Sequence, residues 1–500
     1  MVDVLLTHSY HLFYDRKQVR KMQPYPPLGT LYAAALLRQK GFSVALFDSM
    51  LNDPAEGFPE AVRKHHPKII AIFEDNFNFL SKMCLTRMRE VAFEMIDVAR
   101  LAGATVVVHG SDSTDHCAEY LAKGADYVLV GEAECTLLEV VDSLLKDLKT
   151  DPMRIPGVAY LPNCGGQVVR SSHRPLMRDL DQLPFPARDL IDMDLYRQTW
   201  RDAHGFFSLN QVASRGCPYR CNWCAKPIYG DSFQARTPES VAEEMWQLRE
   251  KFGAEHLWFA DDLFGINNRW VQSFAGQVKR LNAVIPFKVQ SRTDLMRNGE
   301  AVAALARSGC AEVWMGVESG SQKVLDAMDK GIRVDQVLQA RDNLKHYGIR
   351  ACFFLQFGYP GETWTDIQKT IQMVREARPD DIGVSVSYPL PGTKFYQRVR
   401  EELGAKSNWV DSDDLAMMFK GAYTSEFYRT LRDALHAEVE SRSPAEEWRF
   451  SLRDRAVPTV NVSSDHVAEL WNRVEQLEPV CRNSDATLLP VLACSAVGCD

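Results

Sequence analysis

The sequence predicts an α/β protein in three parts: a doubly wound parallel sheet in front, an open, partial (β/α)6 barrel in the middle and a helical C-terminal extension. Three observations carry this. Short apolar strands alternate with helical segments in residues 1–150 and again in 206–400; the stretch between, 151–205, turns Pro- and Gly-rich; and in 401–500 the apolar spacing is helical alone. A chain of 500 residues also exceeds what one hydrophobic core usually organises.

In order along the front part, VDVLLTH, FSVALFD, KIIAIFED, TVVVHG and YVLVGEAE read as strands. PPLGTLYAAALLRQKG and a stretch near 83–102 read as helices between them, giving a Rossmann-like alternation. Gly41, Gly103 and Gly124 each stand between a helix and the next strand, where a left-handed cap fits. Residues 151–205 hold a hairpin around Asn163–Gly166 and then RDLDQLPFPARDL, which reads as an extended linker. Thr237 and Pro238 open a helix with Val241, Met245, Leu248 and Phe252 on one face, and Gly253 ends it. SLNQVASRG, HLWFADD, FKVQSRTD, AEVWMGVESG, ACFFLQFGYP and DIGVSVSYP supply six strands, too few for a closed eight-fold barrel. Ligands of such folds sit at the carboxyl ends of the strands. Tyr428, Leu431, Leu435 and Val439 form one helical stripe, and Val467, Leu470, Trp471, Val474 and Leu477 another, ahead of a frayed end.

Composition narrows the function class. The chain is 46% hydrophobic and 25% charged, with no apolar run near the roughly 18 residues of a membrane span. A net charge of −8 lacks the basic stripe of a nucleic-acid binder, so a small-molecule substrate is expected. MVDVLLTHSYHLFYD has no secretory-signal pattern and reads as a first core strand, which places the protein in the cytoplasm. There the twelve cysteines are thiols, and spacing decides which of them matter.

SRGCPYRCNWCAKPIYG sets Cys217, Cys221 and Cys224 in C-x3-C-x2-C spacing directly after the first barrel strand. Three thiolates on one tight loop can hold three irons of a [4Fe–4S] cube and leave the fourth open. A structural zinc site would want a fourth ligand at matching spacing. The loop resembles that of the radical S-adenosylmethionine superfamily, including the aromatic Trp223 before the last cysteine. The resemblance covers about 206–395. It implies that S-adenosylmethionine chelates the open iron through its amine and carboxylate and is cleaved by one electron to a 5′-deoxyadenosyl radical that takes hydrogen from a C–H bond. A flavodoxin- or ferredoxin-type donor would supply the electron.

Further strand ends match the same family. Asp261 and Asp262 of FADD stand where the superfamily has a Gly-Gly-Glu-like segment meeting the methionyl amine; the glycines are missing, and a helix-capping pair explains them too. Ser291 and Arg292, with Asp294, close the third strand; Arg292 reaches either the cofactor carboxylate or a rim salt bridge. Glu318 and Ser319 resemble the ribose-contacting pair, with a helix cap as the alternative. Gly358, Pro360, Gly361 and Glu362 of FGYPGET resemble the loop along the adenine, where glycine lets the backbone pass close to a flat ring. YPLPGT at 388–393 is expected on the substrate side, and Trp409, Asp411, Asp413 and Asp414 either shape the pocket or start a helix.

The front part resembles the cobalamin-binding branch of this superfamily in domain order and in PPLGTLYAAALLRQKGFSV, the HG of VVVHGSD and DYVLVGEAECTL. The fold implied is thus a Rossmann-like cobalamin-binding-type domain before a radical barrel. D-x-H-x-x-G is absent, which implies cobalamin bound without a histidine lower ligand. Candidate contacts are His8 and Ser9, Glu74 and Asp75, His109 and Gly110, and Gly131 and Glu132. The methylthiotransferase branch needs a second cluster on front-domain cysteines, and Cys84, Cys117 and Cys135 do not fall at the first strand ends. Cys164, Cys310, Cys352, Cys481, Cys494 and Cys499 read as buried or tail thiols. The implied activity is cobalamin-dependent C-methylation. The alternatives are an oxidative cyclisation or rearrangement, as in the anaerobic porphyrin-ring cyclase, and a non-catalytic cobalamin or iron–sulfur sensor or carrier.

Overall fold

The computed structural model describes residues 1–78, 85–146, 151–162, 166–404, 408–442 and 463–483. Cys84, Cys164, Cys494, Cys499, the hairpin tip and the expected frayed end lie outside the described residues.

The front sheet runs in the order β2-β1-β3-β4-β5-β6-β7, with β1 Val4–Thr7, β2 Val44–Phe47, β3 Ile69–Phe73, β4 Thr105–His109, β5 Tyr127–Leu129, β6 Val158–Tyr160 and β7 Val169–Arg170. The first five strands are parallel. Strand period two sends Leu5, Ile70, Ile72, Val106 and Val108 to one face, against Phe58, Val62, Val91 and Met95. Val4, Leu6, Ile69, Ala71 and Phe73 go to the other, against Ala33, Leu37, Leu137 and Val141. Both faces are therefore covered by helices, as a parallel sheet requires.

The expected linker is more than a connection. Strands β6 and β7 pair antiparallel and extend the front sheet. The helix Met193–His204 then braces front domain to barrel: Tyr196 donates to Asp48 at 2.8 Å and Trp200 Nε1 to Pro24 O at 2.6 Å.

The second sheet is a six-stranded parallel open barrel, ordered β15-β14-β13-β12-β11-β8. Its strands are β8 Ser208–Gln211, β11 His256–Phe259, β12 Phe287–Ser291, β13 Cys310–Glu318, β14 Arg350–Phe357 and β15 Asp381–Val386. SLNQVASRG, read as one strand, is broken. After β8 the chain leaves the barrel, and β9 Ser214–Arg215 pairs antiparallel with β10 Gln234–Ala235. The cysteine loop is thus closed at its base by a short hairpin ladder.

Residues 408–424 are not a helix start. Asp411 accepts from Asp413 N at 2.9 Å and Asp414 from Val410 N at 3.0 Å, so the carboxylates turn a loop instead of capping a helix. Trp409 is buried edge-on against Tyr388, and Asp413 pairs with Arg20 and Arg432. The helices Ser425–Ser441 and Ser464–Cys481 follow, with Tyr428, Leu431, Leu435 and Val439 buried as a stripe.

Glycine is obligatory where β13 ends. A Cβ on Gly320 would meet Lys369 C at 2.7 Å and Thr370 Cα at 2.8 Å, both backbone and unable to yield. Gly320→Ala should lower stability by about 1–3 kcal/mol. A urea midpoint unchanged from wild type would contradict the packing described.

Candidate functional site

The cysteine loop is built from inside. Gly216 takes φ +78 and sits under Tyr229 and Ser232, which leaves no room for a Cβ. Lys226 Nζ donates to Cys217 O at 3.0 Å and to Tyr219 O, and pairs with Asp231 at 2.7 Å, drawing the loop's two ends together. Asn222, between the second and third cysteines, is the pin. Its N–H donates to Met328 O at 3.0 Å, and its Nδ2 to Ala327 O at 2.8 Å and Asp329 at 3.0 Å. Its Oδ1 accepts from Tyr359 at 2.7 Å, and its O from Phe395 N at 3.0 Å. One residue thus ties the loop to the end of the helix Gln322–Ala327, which follows β13, and to the turn after β14.

Cys217, Cys221 and Cys224 are half-buried. Burial, then Asp262 and the other two thiols, push Cys224 up to about 12. Thiols that raise one another's pKa in this way gain most from a cationic centre, so the donor set fits an iron–sulfur group. Among the described residues no three His, Cys, Asp or Glu side chains are arranged as they stand to hold a single metal ion. Trp223 lies over the hydrophobic cluster of Val324, Met328, Tyr359 and Phe395, with its Nε1 buried and without a partner.

Around the loop the sequence candidates separate by what they touch. Asp262 is exposed and acts electrostatically on Cys217 and Cys224. Asp261 is buried, accepts from Ala213 N at 3.0 Å and from the Ser214 hydroxyl, and is pushed by burial up to about 7. It holds the break between β8 and β9. Ser291 donates to Phe264 O at 2.9 Å. Arg292 makes the rim salt bridge, to Asp294 at 2.9 Å, donates to Lys330 O at 2.9 Å and stacks 3.7 Å over Tyr219 of the cysteine loop.

Glu318 has φ +62, costly for a residue with a Cβ, and forms a buried ion pair with Lys330 at 2.6 Å. Its partner is therefore a lysine, and Lys330 also lies 5.9 Å from the Trp223 ring. Ser319 bonds Thr370 at 3.1 Å and accepts from Ser321 N at 3.1 Å. Gly358 has φ +77, and a Cβ there would lie 3.0 Å from Met417 Sδ and 3.3 Å from Tyr428. Pro360 is half-buried on the same turn.

Glu362 donates nothing and accepts from Gly358 N at 2.6 Å, while its other oxygen is buried without a partner. Burial raises it to about 8. The native state therefore keeps a proton that the unfolded chain releases near its ordinary 4.5, and stability falls as pH rises between those values. Glu362→Gln should flatten that fall in urea titrations at pH 5 and pH 8; an unaltered pH slope would contradict it.

At the carboxyl ends of the front sheet, His8 pairs with Asp48 at 2.9 Å. Burial opposes its charged form, but Asp48, Glu74 and Asp75 outweigh burial and raise its pKa. Burial lowers His109 to about 4; the neutral ring bonds Asn76 at 2.8 Å and Leu129 O at 3.2 Å. Both rings are engaged by protein. Ser9 N donates to Glu74 at 3.0 Å, and Asp75 accepts from Gly29 N at 3.0 Å. A Cβ on Gly110 would press on Glu74 Cγ at 2.8 Å. Glu74 Oε2, Asn76 Oδ1, Ser111 Oγ and Thr114 Oγ1 are buried without partners. Such orphans are costly, and a large ligand rich in amides and hydroxyls, as cobalamin is, fits them.

Gly131 has φ +77, and a Cβ there would lie 3.8 Å from Ile228 O and 3.7 Å from His173. Glu132 next to it accepts from Met177 N and from Arg215 Nη1, both at 2.6 Å. Arg215 Nη2 reaches Glu134 at 2.7 Å, and the guanidinium lies 5.4–5.6 Å from the rings of Tyr32, Phe77 and Tyr229. Arg215 stands two residues before Cys217, so this buried fork joins the front sheet's rim to the root of the cysteine loop. Burial works to raise both carboxyls; Arg215 outweighs it at Glu134 and holds that pKa down.

Sequence reading missed Arg215, Asn222, Lys226, Lys330 and Asn76. Arg215 and Asn222 lie inside the quoted cysteine segment, which is the one signal that could have found them. Arg215→Met leaves two buried carboxylates facing each other and should cost about 3–5 kcal/mol, read as an earlier urea transition. Retention of the wild-type transition would show that the fork is dispensable.

The comparisons with known proteins agree with this arrangement. Residues 212–374 match the model of the Radical SAM superfamily and 22–141 that of the B12 binding domain. An uncharacterized methyltransferase of Pyrococcus horikoshii is 27% identical over 82% of this chain and 86% of its own length. The anaerobic magnesium-protoporphyrin IX monomethyl ester cyclase of Cereibacter sphaeroides is 24% identical over 76% of this chain and 61% of its own. Among solved structures, the radical S-adenosylmethionine methyltransferase TsrM from Kitasatospora setae, with cobalamin and a [4Fe–4S] cluster bound, superposes with a TM-score of 0.65 at 18% identity, covering 80% of this chain and 75% of that one. The cobalamin-dependent S-adenosylmethionine radical enzyme OxsB gives 0.70 at 15% identity over 96% and 71%. With a cysteine loop at the barrel rim and a doubly wound sheet before it, the chain belongs to the radical S-adenosylmethionine superfamily, in the branch that carries a B12-binding domain.

Proposed function

We propose that the protein is a cobalamin-dependent radical S-adenosylmethionine methyltransferase acting on a small molecule. The observation that carries the reading is the Arg215 fork, which sets the orphaned polar rim of the B12-binding domain against the root of a three-cysteine loop. Cys217, Cys221 and Cys224 are the residues to hold a [4Fe–4S] cluster. Bound there, cluster and S-adenosylmethionine supply hydrogen-atom abstraction from a C–H bond, and cobalamin supplies a methyl group.

The chain's own residues bind and orient. Lys226 and Asn222 fix the course of the loop that carries the three thiols. Asp262 presents a carboxylate toward the thiols, placed to accept from an ammonium group. Glu318 is held against Lys330, so a ribose hydroxyl would have to share the carboxylate with the lysine. Glu74 Oε2, Asn76 Oδ1, Ser111 Oγ and Thr114 Oγ1 are the atoms to receive the corrin periphery, while His8 and His109 stay bound to protein and serve as no lower ligand.

Among the described residues no helix is long and apolar enough to cross a membrane. A cytoplasmic setting with a flavodoxin- or ferredoxin-type electron donor completes the reading. The second reading, oxidative cyclisation, is supported by the cyclase relative.

After anaerobic reconstitution with iron, sulfide and hydroxocobalamin, the reduced wild type should release 5′-deoxyadenosine and S-adenosylhomocysteine together. Cys221→Ala should release at least 100-fold less deoxyadenosine. Deoxyadenosine without S-adenosylhomocysteine would favour cyclisation. Neither product, with the cluster intact, would move the reading to a sensor or carrier.

A further inference from the structure

The inner face of the barrel carries chemistry that the cofactors do not use. Strand alternation buries the outward residues and leaves Trp258, Lys288, Gln290, Trp314, Phe354 and Ser385 half-exposed on the inside. Register puts Asn210, Trp258, Lys288, Glu312 and Arg350 in one row across five strands. In that row Glu312 is already taken, by Trp314 Nε1 at 2.6 Å and by Arg350. Lys288, its neighbour in the register, feels Glu312 electrostatically but forms no ion pair with it. Among the described residues its ammonium makes no ion pair, and it lies 5.6 Å from the ring centroids of both Tyr25 and Trp258.

Two further features surround it. Trp314 and Phe354 stack at 4.9 Å and 30°, and Gly383 makes room for the pair, since a Cβ there would lie 3.1 Å from Phe354 and 3.4 Å from Trp314. The helix Arg16–Lys21, tied to the helix Ser425–Ser441 through Arg20, Asp413 and Arg432, carries Lys17 and Lys21 one turn apart. Neither amine makes an ion pair among the described residues, and Lys21 acts electrostatically on Lys288. Burial, and to a lesser degree Lys21, hold Lys288 down to about 8 against the pull of Glu312 and Asp381.

We infer that the barrel lumen takes a flat aromatic substrate bearing an anionic group, a carboxylate above all, with Lys288 as the residue that receives the anion and Trp258, Trp314 and Phe354 as the walls for the ring. Lys288 is then a specificity-determining residue. The inference rests on the radical-enzyme reading for the reaction but not for the binding.

The test uses the reconstituted holoenzyme and three probes of equal shape: 1-pyrenecarboxylate, 1-pyrenemethanol and 1-pyrenemethylamine, read by fluorescence anisotropy. The carboxylate should bind at least tenfold more tightly than the alcohol, and the amine least. Lys288→Gln should erase the preference for the carboxylate, Lys288→Arg should keep most of it, and the exposed Lys279→Gln should change nothing. Equal binding of the three probes, no binding of the carboxylate, or a preference that survives Lys288→Gln would overturn the inference. Deoxyadenosine release by the same preparations, without probe, reports on the radical reading separately.

Discussion

One buried cation holds the functional parts together. Arg215 offers a planar fork to two carboxylates from the B12-binding domain, Glu132 and Glu134, and does so two residues ahead of the first cluster cysteine. Guanidinium and carboxylates are costly to desolvate singly, so the arrangement persists only when all three are present and aligned. Its position therefore fixes where the root of the cysteine loop meets the rim of the front sheet. The rings of Tyr32, Phe77 and Tyr229 exclude water from the fork and add cation–π attraction.

From that anchor the loop is shaped by local devices. The β9–β10 ladder closes its base, Asp261 breaks the chain away from β8, Lys226 gathers its carbonyls and Asn222 pins its middle to the helix end after β13 and the turn after β14. The same economy appears in the front domain, where Asp48 and Asn76 engage the rings of His8 and His109. What stays unsatisfied lies at the strand ends of the front sheet, where a ligand sits in this architecture.

The fold was legible because periodicity is local. Short apolar runs alternating with helical segments identified both parallel sheets, and spacing of three to four identified the helix Ser425–Ser441. Cys217, Cys221 and Cys224 were legible for the same reason, since they share one short loop. Glu318 and Glu132 were picked by position at strand ends, but their partners Lys330 and Arg215 are 12 and 83 residues away, and no periodic pattern carries such pairings. Gly358 was expected for a cofactor approach; the close neighbours are Met417 and Tyr428, from the C-terminal part that the barrel motifs do not include. The hairpin expected in 151–205 is present as the antiparallel pair β6 and β7, but its joining the front sheet through β5 is a long-range pairing that no local pattern in the segment announces.

Everything proposed for the barrel depends on the three-cysteine loop holding a cluster with one iron open to S-adenosylmethionine. Electron paramagnetic resonance of the reduced, reconstituted protein tests it most directly. Adding S-adenosylmethionine should shift the g-values of a [4Fe–4S]+ signal in the wild type, and that signal should be absent in Cys221→Ala. A cluster signal indifferent to S-adenosylmethionine, or one that survives in the variant, would contradict the claim.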